Sequence, residues 1–300
     1  MYSDFEVFRR DQEMLISEME DQLHIFDYIE GFVVMNNHYL INGLKSVPFS
    51  PDADQVVSAM SRNMLPAAVA ASSVLYYLEA AVGYNLADVG PALENRVEKM
   101  LAPLSFIRSL LFSTDVSYFN FLNRVHDVEL SLRAQQLWDV PHPWLNIFVP
   151  ASSMTTFDSL VFQQLVPVEY GGPILVYPVN RNKWDRRTVA VVPDEEVFYM
   201  VAFLRNALPS GPGLESMLDE NARILRVCED LNGKHYLSKY TEEEQWKRHF
   251  GCEKWTALVQ HKHMFDPHGI LAPGQNIFRR NQNPPRLDQL LLLHSDSSSS

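Results

Sequence analysis

Residues 26–34 read Phe26-Asp27-Tyr28-Ile29-Glu30-Gly31-Phe32-Val33-Val34, and aromatic and β-branched side chains follow one another there as they do in a strand. Glu30 sets a carboxylate inside the apolar strand, between Ile29 and Gly31. It is either on a solvent face, where it means little, or buried with a partner or a raised pKa. Upstream, Ser3 and Glu6 form a capping box ahead of a helix in which Phe5, Phe8, Leu15, Met19 and Leu23 recur at helical spacing. Downstream, the polar residues 36–62, with Pro48 and Pro51, read as a loop. Strands and helices then alternate. Strands are expected over residues 74–84, 144–149, 174–177 and 197–204, and helices over 91–101, 116–136, 157–165, 214–230 and 242–264. Residues 106–112 are strand-like or irregular. Several strands read as half-buried rather than continuously apolar, which is the pattern of an antiparallel sheet covered by helices on one face. The expected class is α+β. Residues 279–300, with Asn-Pro-Pro and a terminal serine run, read as a disordered tail.

Composition narrows the chemistry. Glycine makes up only 12 of 300 residues, and neither G-x-G-x-x-G nor G-x-x-x-x-G-K-[ST] occurs, so the sequence has little material for a phosphate-cradling loop, and something else must hold the phosphates of any nucleotide cofactor. A formal charge of -12 disfavours nucleic acid or an anionic membrane as the main partner. The longest uncharged stretch, residues 65–78, is short of a membrane span and reads as core. Cys228 and Cys252 are too few for a disulfide framework, and both are expected to be buried and inert.

His249, His261, His263 and His268 cluster late in the chain, but His261 and His263 diverge by about 200° on a helix, so no metal site is expected. No G-x-S-x-G elbow is present for a serine hydrolase. In Pro141-His142-Pro143-Trp144-Leu145-Asn146, alternation sends Trp144 and Asn146 to one face of a strand. A flat ring beside an amide suits a flat heterocycle, and equally suits a core tryptophan with a structural asparagine. In Leu271-Ala272-Pro273-Gly274-Gln275-Asn276-Ile277-Phe278, Pro-Gly makes a turn that can present Gln275 to a ligand.

These segments resemble the C-terminal part of the plant cytokinin dehydrogenases (cytokinin oxidases), FAD-dependent enzymes of the vanillyl-alcohol-oxidase type. The resemblance runs from Tyr2-Ser3-Asp4-Phe5 and Asp11-Gln12-Glu13 through Asp27-Tyr28-Ile29-Glu30-Gly31, Arg124-Val125-His126 and the VPHPWLNIFVP run of residues 140–150. It continues with residues 172–178, 182–185 and 193–199, His249-Phe250-Gly251, Phe265-Asp266-Pro267 and LAPGQNIF.

It implies a substrate domain over residues 1–236, an antiparallel sheet with helices, and a strip over residues 237–278 that completes an FAD-binding domain. The rest of that domain is expected to lie ahead of these residues, with the general base, the flavin-bonding histidine and the pyrophosphate loops. No catalytic residue is therefore assigned here. The implied reaction oxidises the allylic C–N bond of an N6-isoprenoid adenine (a cytokinin of the isopentenyladenine or zeatin type) to an imine that hydrolyses to adenine and an aldehyde. By the same resemblance, Glu30 sits at the substrate entrance and hydrogen-bonds the adenine, Trp144 and Asn146 line the cavity, and Val125, Leu204 and Leu237 pack on the ligand. Tyr236, Gln275 and the Ala272 backbone contact FAD. Ala272 stands where some relatives have serine, and Val128 where some have an acidic residue that discriminates among side chains. No metal and no protein partner is implied. The alternative is a truncated, non-catalytic chain that at most binds purines.

Overall fold

The computed structural model describes residues 1–17, 26–36, 69, 72–167, 170, 172–185, 187–209, 211–236, 238–271 and 277–278. The chain divides into two compact units, Met1–Arg181 with Pro193–Gly233, and Asn182–Val192 with Lys234–Ser300.

The first unit is built on an antiparallel sheet. Its strands are β1 (Tyr28–Met35), β2 (Val74–Ala81), β3 (Leu145–Pro150), β4 (Ile174–Asn180) and β5 (Val197–Phe203), in the order β2-β1-β4-β5-β3. Register follows from the pairs Glu30↔Glu79, Phe32↔Leu175, Leu175↔Ala202 and Asn146↔Ala202. Directly opposed residues of antiparallel strands share a face, and alternate residues switch faces. One face therefore carries Val33, Tyr76, Ile147, Val176, Val201 and Phe203, all buried in the main core. Helices cover it: α1 (Phe5–Ile16), a helical stretch that includes α4 (Met154–Phe157), and α5 (Leu214–Asp230). Aromatic rings fill the contact, with Phe5 and Phe162 edge-on to their neighbours and Phe8 stacked on Tyr76 at 5.3 Å. The other face carries Tyr28, Glu30, Phe32, Tyr77, Glu79, Leu175, Ala202 and Asn146. Apolar cover on this face centres on Phe32, Val34 and Leu75 under Leu110 and Met1.

The expected α+β class holds, and α2 (Pro91–Leu101) and α5 have the bounds read from periodicity. Several local expectations do not. The cap of α1 is Asp4, whose carboxylate accepts from the Val7 N–H at 2.9 Å, and not Ser3. The reason is a backbone bridge, Tyr2 N–H to Tyr76 O at 2.8 Å, that keeps the chain extended until Asp4. Glu6 is then released from capping and pairs with Arg9. The helix stops at Ile16, where Ser17 turns extended and bonds back to Met14 O; Met19 and Leu23 lie outside the described residues.

Strand β2 ends at Ala81 because the chain turns there, the Gly83 N–H donating to Asp27 at 2.6 Å. Residues 106–112 contribute one 3₁₀ turn, Arg108–Leu110. The helical stretch read at 157–165 begins earlier and passes through a π turn, Asp158–Phe162. Helix α3 (Tyr118–Ala134) is capped by Ser117 and buries no residue fully. Residues 37–62 and the tail at 279–300 lie outside the described residues.

Gly31 shows why β1 carries a glycine. A Cβ there would meet Val176 O at 2.2 Å and Gln12 Nε2 at 2.4 Å. The Gln12 amide occupies that space to donate to Val176 O at 3.0 Å.

The second unit holds β6 (Lys234–Tyr236) and α6 (Glu243–Phe265). Gly251 interrupts α6 with φ 70°, so a helix read as continuous is broken. After the break Trp255 and Val259 turn inward, joining Trp246 in an aromatic core. Cys252 is left exposed, against the expectation that both thiols are buried; Cys228 is buried beneath the sheet, its thiol 3.8 Å from Phe148 O.

Candidate functional site

The polar groups of the first unit converge where β1, β2 and α3 meet. Glu30 and Tyr28 are two apart on β1 and so share a face, and the register sets Glu79 of β2 directly opposite Glu30. The Tyr28 hydroxyl donates to Glu30 Oε2 at 2.6 Å, and Arg124 of α3 donates to the Tyr28 oxygen at 2.7 Å. Arg124 also donates to Phe121 O at 2.7 Å and lies over the Phe121 and Tyr28 rings at 4.4 and 5.0 Å. Both Glu79 oxygens and Arg124 Nε are buried with no hydrogen-bond partner among the described residues. Glu30 is thus partly buried with a donor, the less bland of its two sequence readings.

Burial sets the electrostatics. Desolvation pushes Glu79 up to about 7, with Arg124 opposing and Glu30 adding to the rise. Glu30 is also raised by burial, with Tyr28 and Arg124 holding it back. Burial raises the Tyr28 hydroxyl, and the Glu30 carboxylate beside it raises it further.

Asn146 lies on the same sheet face as Glu30, half-buried. It is three strands away from β1, about 14 Å laterally at the usual strand spacing. Leu204, just past β5, continues that face and is half-buried, its N–H bonded to Pro173 O at 3.0 Å. Trp144 precedes β3 rather than opening it and is 52% exposed, so it is not a core tryptophan. The segment that presents it is held from behind. Asn221 of α5 donates to Pro143 O at 2.8 Å, and Arg205, 2% exposed, donates to Asn221 Oδ1 at 2.8 Å while pairing with Glu220. Ala207 N–H donates to Pro141 O at 2.9 Å, and the His142 ring lies 5.5 Å from Trp144.

Val125 and Val128 are exposed on α3 beside Phe119 and Leu122. The structure therefore brings Glu30, Asn146 and Leu204 to one sheet face, with Val125 and Val128 on the helix that carries Arg124. Leu237, Ala272 and Gln275 lie outside the described residues. Tyr236 is half-buried at the end of β6. Around it the second unit is aromatic: Tyr240, Trp246, His249 and Phe250 lie ring to ring, and burial pushes His249 down to about 4. His235 Nδ1, Trp246 Nε1 and Trp255 Nε1 are buried without partners among the described residues.

Sequence reasoning missed Glu79, Tyr28 and Arg124 as members of the site. Arg124 stands in the quoted Arg-Val-His segment and Tyr28 in the opening strand, but only strand register exposes Glu79.

The first unit is thus an α+β layer that hides one sheet face under helices and leaves two carboxylates and an amide on the other. Residues 1–278 match the family model described as "Cytokinin dehydrogenase 1, FAD and cytokinin binding". The whole chain aligns with cytokinin dehydrogenase 5 of Arabidopsis thaliana at 46% identity, covering 53% of that protein. Over 96% of its length it is 44% identical to cytokinin dehydrogenase 4 of Oryza sativa subsp. japonica, covering 52% of that protein. The chain belongs to the cytokinin dehydrogenase family. It spans about half the length of the curated relatives it matches.

Proposed function

We propose that this chain supplies the ligand-recognising part of an FAD-dependent cytokinin dehydrogenase, which cleaves the N6-isoprenoid side chain of cytokinins to leave adenine and an aldehyde. The observation that carries the reading is the family match over residues 1–278, whose description names both ligands. Residues 1–236 form the substrate domain in this proposal, and residues 237–278 the strip that completes the flavin domain. The second compact unit resumes at Lys234, close to that division, and also takes in Asn182–Val192 from the stretch assigned to the substrate domain.

On the sheet face, Glu30 accepts hydrogen bonds from the adenine, Asn146 donates and accepts, and Trp144 packs on the flat ring. Val125, Val128, Leu204 and Leu237 contact the apolar parts of the ligand. Bound FAD would supply the oxidising power for the C–N bond. Tyr236, Ala272 and Gln275 would hold it, and the buried, unpartnered His235 Nδ1, Trp246 Nε1 and Trp255 Nε1 make the second unit suited to a polar ligand.

The test uses residues 1–300 alone and joined to the N-terminal half of the Arabidopsis relative. Each protein receives FAD, and flavin absorbance and isopentenyladenine-dependent reduction of an electron acceptor are followed. The joined protein is expected to turn over, and residues 1–300 alone to bind the purine without turnover. A joined protein that folds and holds flavin yet neither binds nor oxidises isopentenyladenine refutes the proposal.

A further inference from the structure

Glu30 and Glu79 are not equivalent, although strand register makes them partners. Glu30 receives the Tyr28 hydroxyl, which Arg124 in turn supports. Both oxygens of Glu79 are buried, and no donor reaches them among the described residues. Two ionised carboxylates are acceptors only and repel each other, and one proton on the pair removes that repulsion. The proton belongs on the carboxyl that lacks a donor.

We propose that Glu79 is a positioning residue: it carries the single proton of the Glu30–Glu79 pair and, by staying neutral, lets an ionised Glu30 keep its place beside the Tyr28 hydroxyl on the sheet face where the ligand is recognised. The ligand part of this inference rests on the function proposed above; the shared proton does not. The charged and titratable groups that face Glu79 are Glu30 and Tyr28 from β1, Tyr77 on its own strand and Arg124 from α3. Arg124 donates to Phe121 O and the Tyr28 oxygen and reaches neither Glu79 oxygen, so its charge opposes the rise at Glu79 without supplying the missing donor. Burial also keeps Glu79 protonated up to about neutrality. Once it ionises, two like charges face each other across one strand pair, and repulsion drives Glu30 from that place.

The experiment is a pH titration of residues 1–300 carrying ¹³C-labelled glutamate carboxyls, in wild type, Glu30→Gln and Glu79→Gln, with isopentenyladenine affinity measured at pH 6 and pH 8.5. One carboxyl signal is expected to titrate near neutrality, to vanish in Glu79→Gln and to move down by at least half a pH unit in Glu30→Gln. Affinity should fall several-fold from pH 6 to 8.5 in wild type. In Glu79→Gln, whose amide imitates the protonated acid, it should change less than two-fold. Titration of Glu79 in the ordinary carboxylate range, or an equal loss of affinity with pH in Glu79→Gln, overturns the inference. If no protein binds isopentenyladenine while the signal behaves as described, the shared proton stands and the ligand assignment fails.

Discussion

Asp158 lies in the π turn beneath the sheet, 8% exposed, and accepts the Tyr76 hydroxyl at 2.5 Å while Gln163 donates to the same hydroxyl at 2.8 Å. Desolvation lifts its pKa from 3.8 to about 6, with Asp4 and Glu6 adding smaller repulsions and the hydrogen bonds opposing. The folded state thus holds this proton more tightly than the unfolded state. Below about pH 4 the carboxyl is protonated in both states and contributes nothing. As pH rises from about 4 to about 6 the folded state must give up a proton it prefers to keep, and above that the full penalty applies. A rise of this size corresponds to about 3 kcal/mol at 1.36 kcal/mol per pH unit. Asp158→Asn keeps an acceptor for Tyr76 and removes the ionisation. The variant should therefore match wild type in urea unfolding at pH 4 and exceed it by about 2–3 kcal/mol at pH 7.5. For a unit of this size that is roughly 5–10 °C in melting temperature. Unfolding curves of the two proteins that stay parallel from pH 4 to 7.5 would refute the reasoning, because the carboxyl would then be no more costly to ionise in the fold than out of it.

Two further outcomes follow from packing. Gly31→Ala places a methyl against Val176 O and Gln12 Nε2 and should cost at least about 1–3 kcal/mol, with Gln12→Ala recovering part of the loss; a neutral Gly31→Ala in urea titration would contradict the close approach. Asn221→Leu strands Pro143 O and one Arg205 donor, at about 1–3 kcal/mol each, and should free Trp144. Its fluorescence anisotropy, with Trp144 followed against a Trp144→Phe control, should fall, and an unchanged signal would remove the clamp from the account.

Much of the fold was readable because periodicity reports burial. Helix α5 buries Met217, Asn221, Ile224 and Cys228 at helical spacing, and its bounds were read to the residue. The strands were located by their composition, but their ends depended on what sits beside them. Ser3 has the chemistry of a cap, yet a bridge to Tyr76 decided that Asp4 is the cap. Cys252 is exposed because one positive φ at Gly251 changes the helix phase, and spacing alone does not reveal such a break.

The site was readable only in part for a similar reason. Glu30 stands out as a carboxylate in an apolar strand, and Asn146 lies on the face that alternation gives it. Glu79 stands out only once β1 and β2 are in register, 49 residues apart in sequence. Arg124 lies on a helix that buries nothing fully, so its hydrophobic pattern gives no sign that one face meets the sheet.

The central claim is that the sheet face carrying Glu30 and Asn146 recognises the ligand. A ¹⁵N chemical-shift titration of residues 1–300 with isopentenyladenine tests it most directly. The account predicts saturable shifts at Tyr28, Glu30, Asn146 and Leu204 and along α3 near Arg124 and Val125, with little change at Val33, Ile147 or Val176 on the helix-covered face. Shifts confined to the helix-covered face, or none at millimolar ligand, would contradict it.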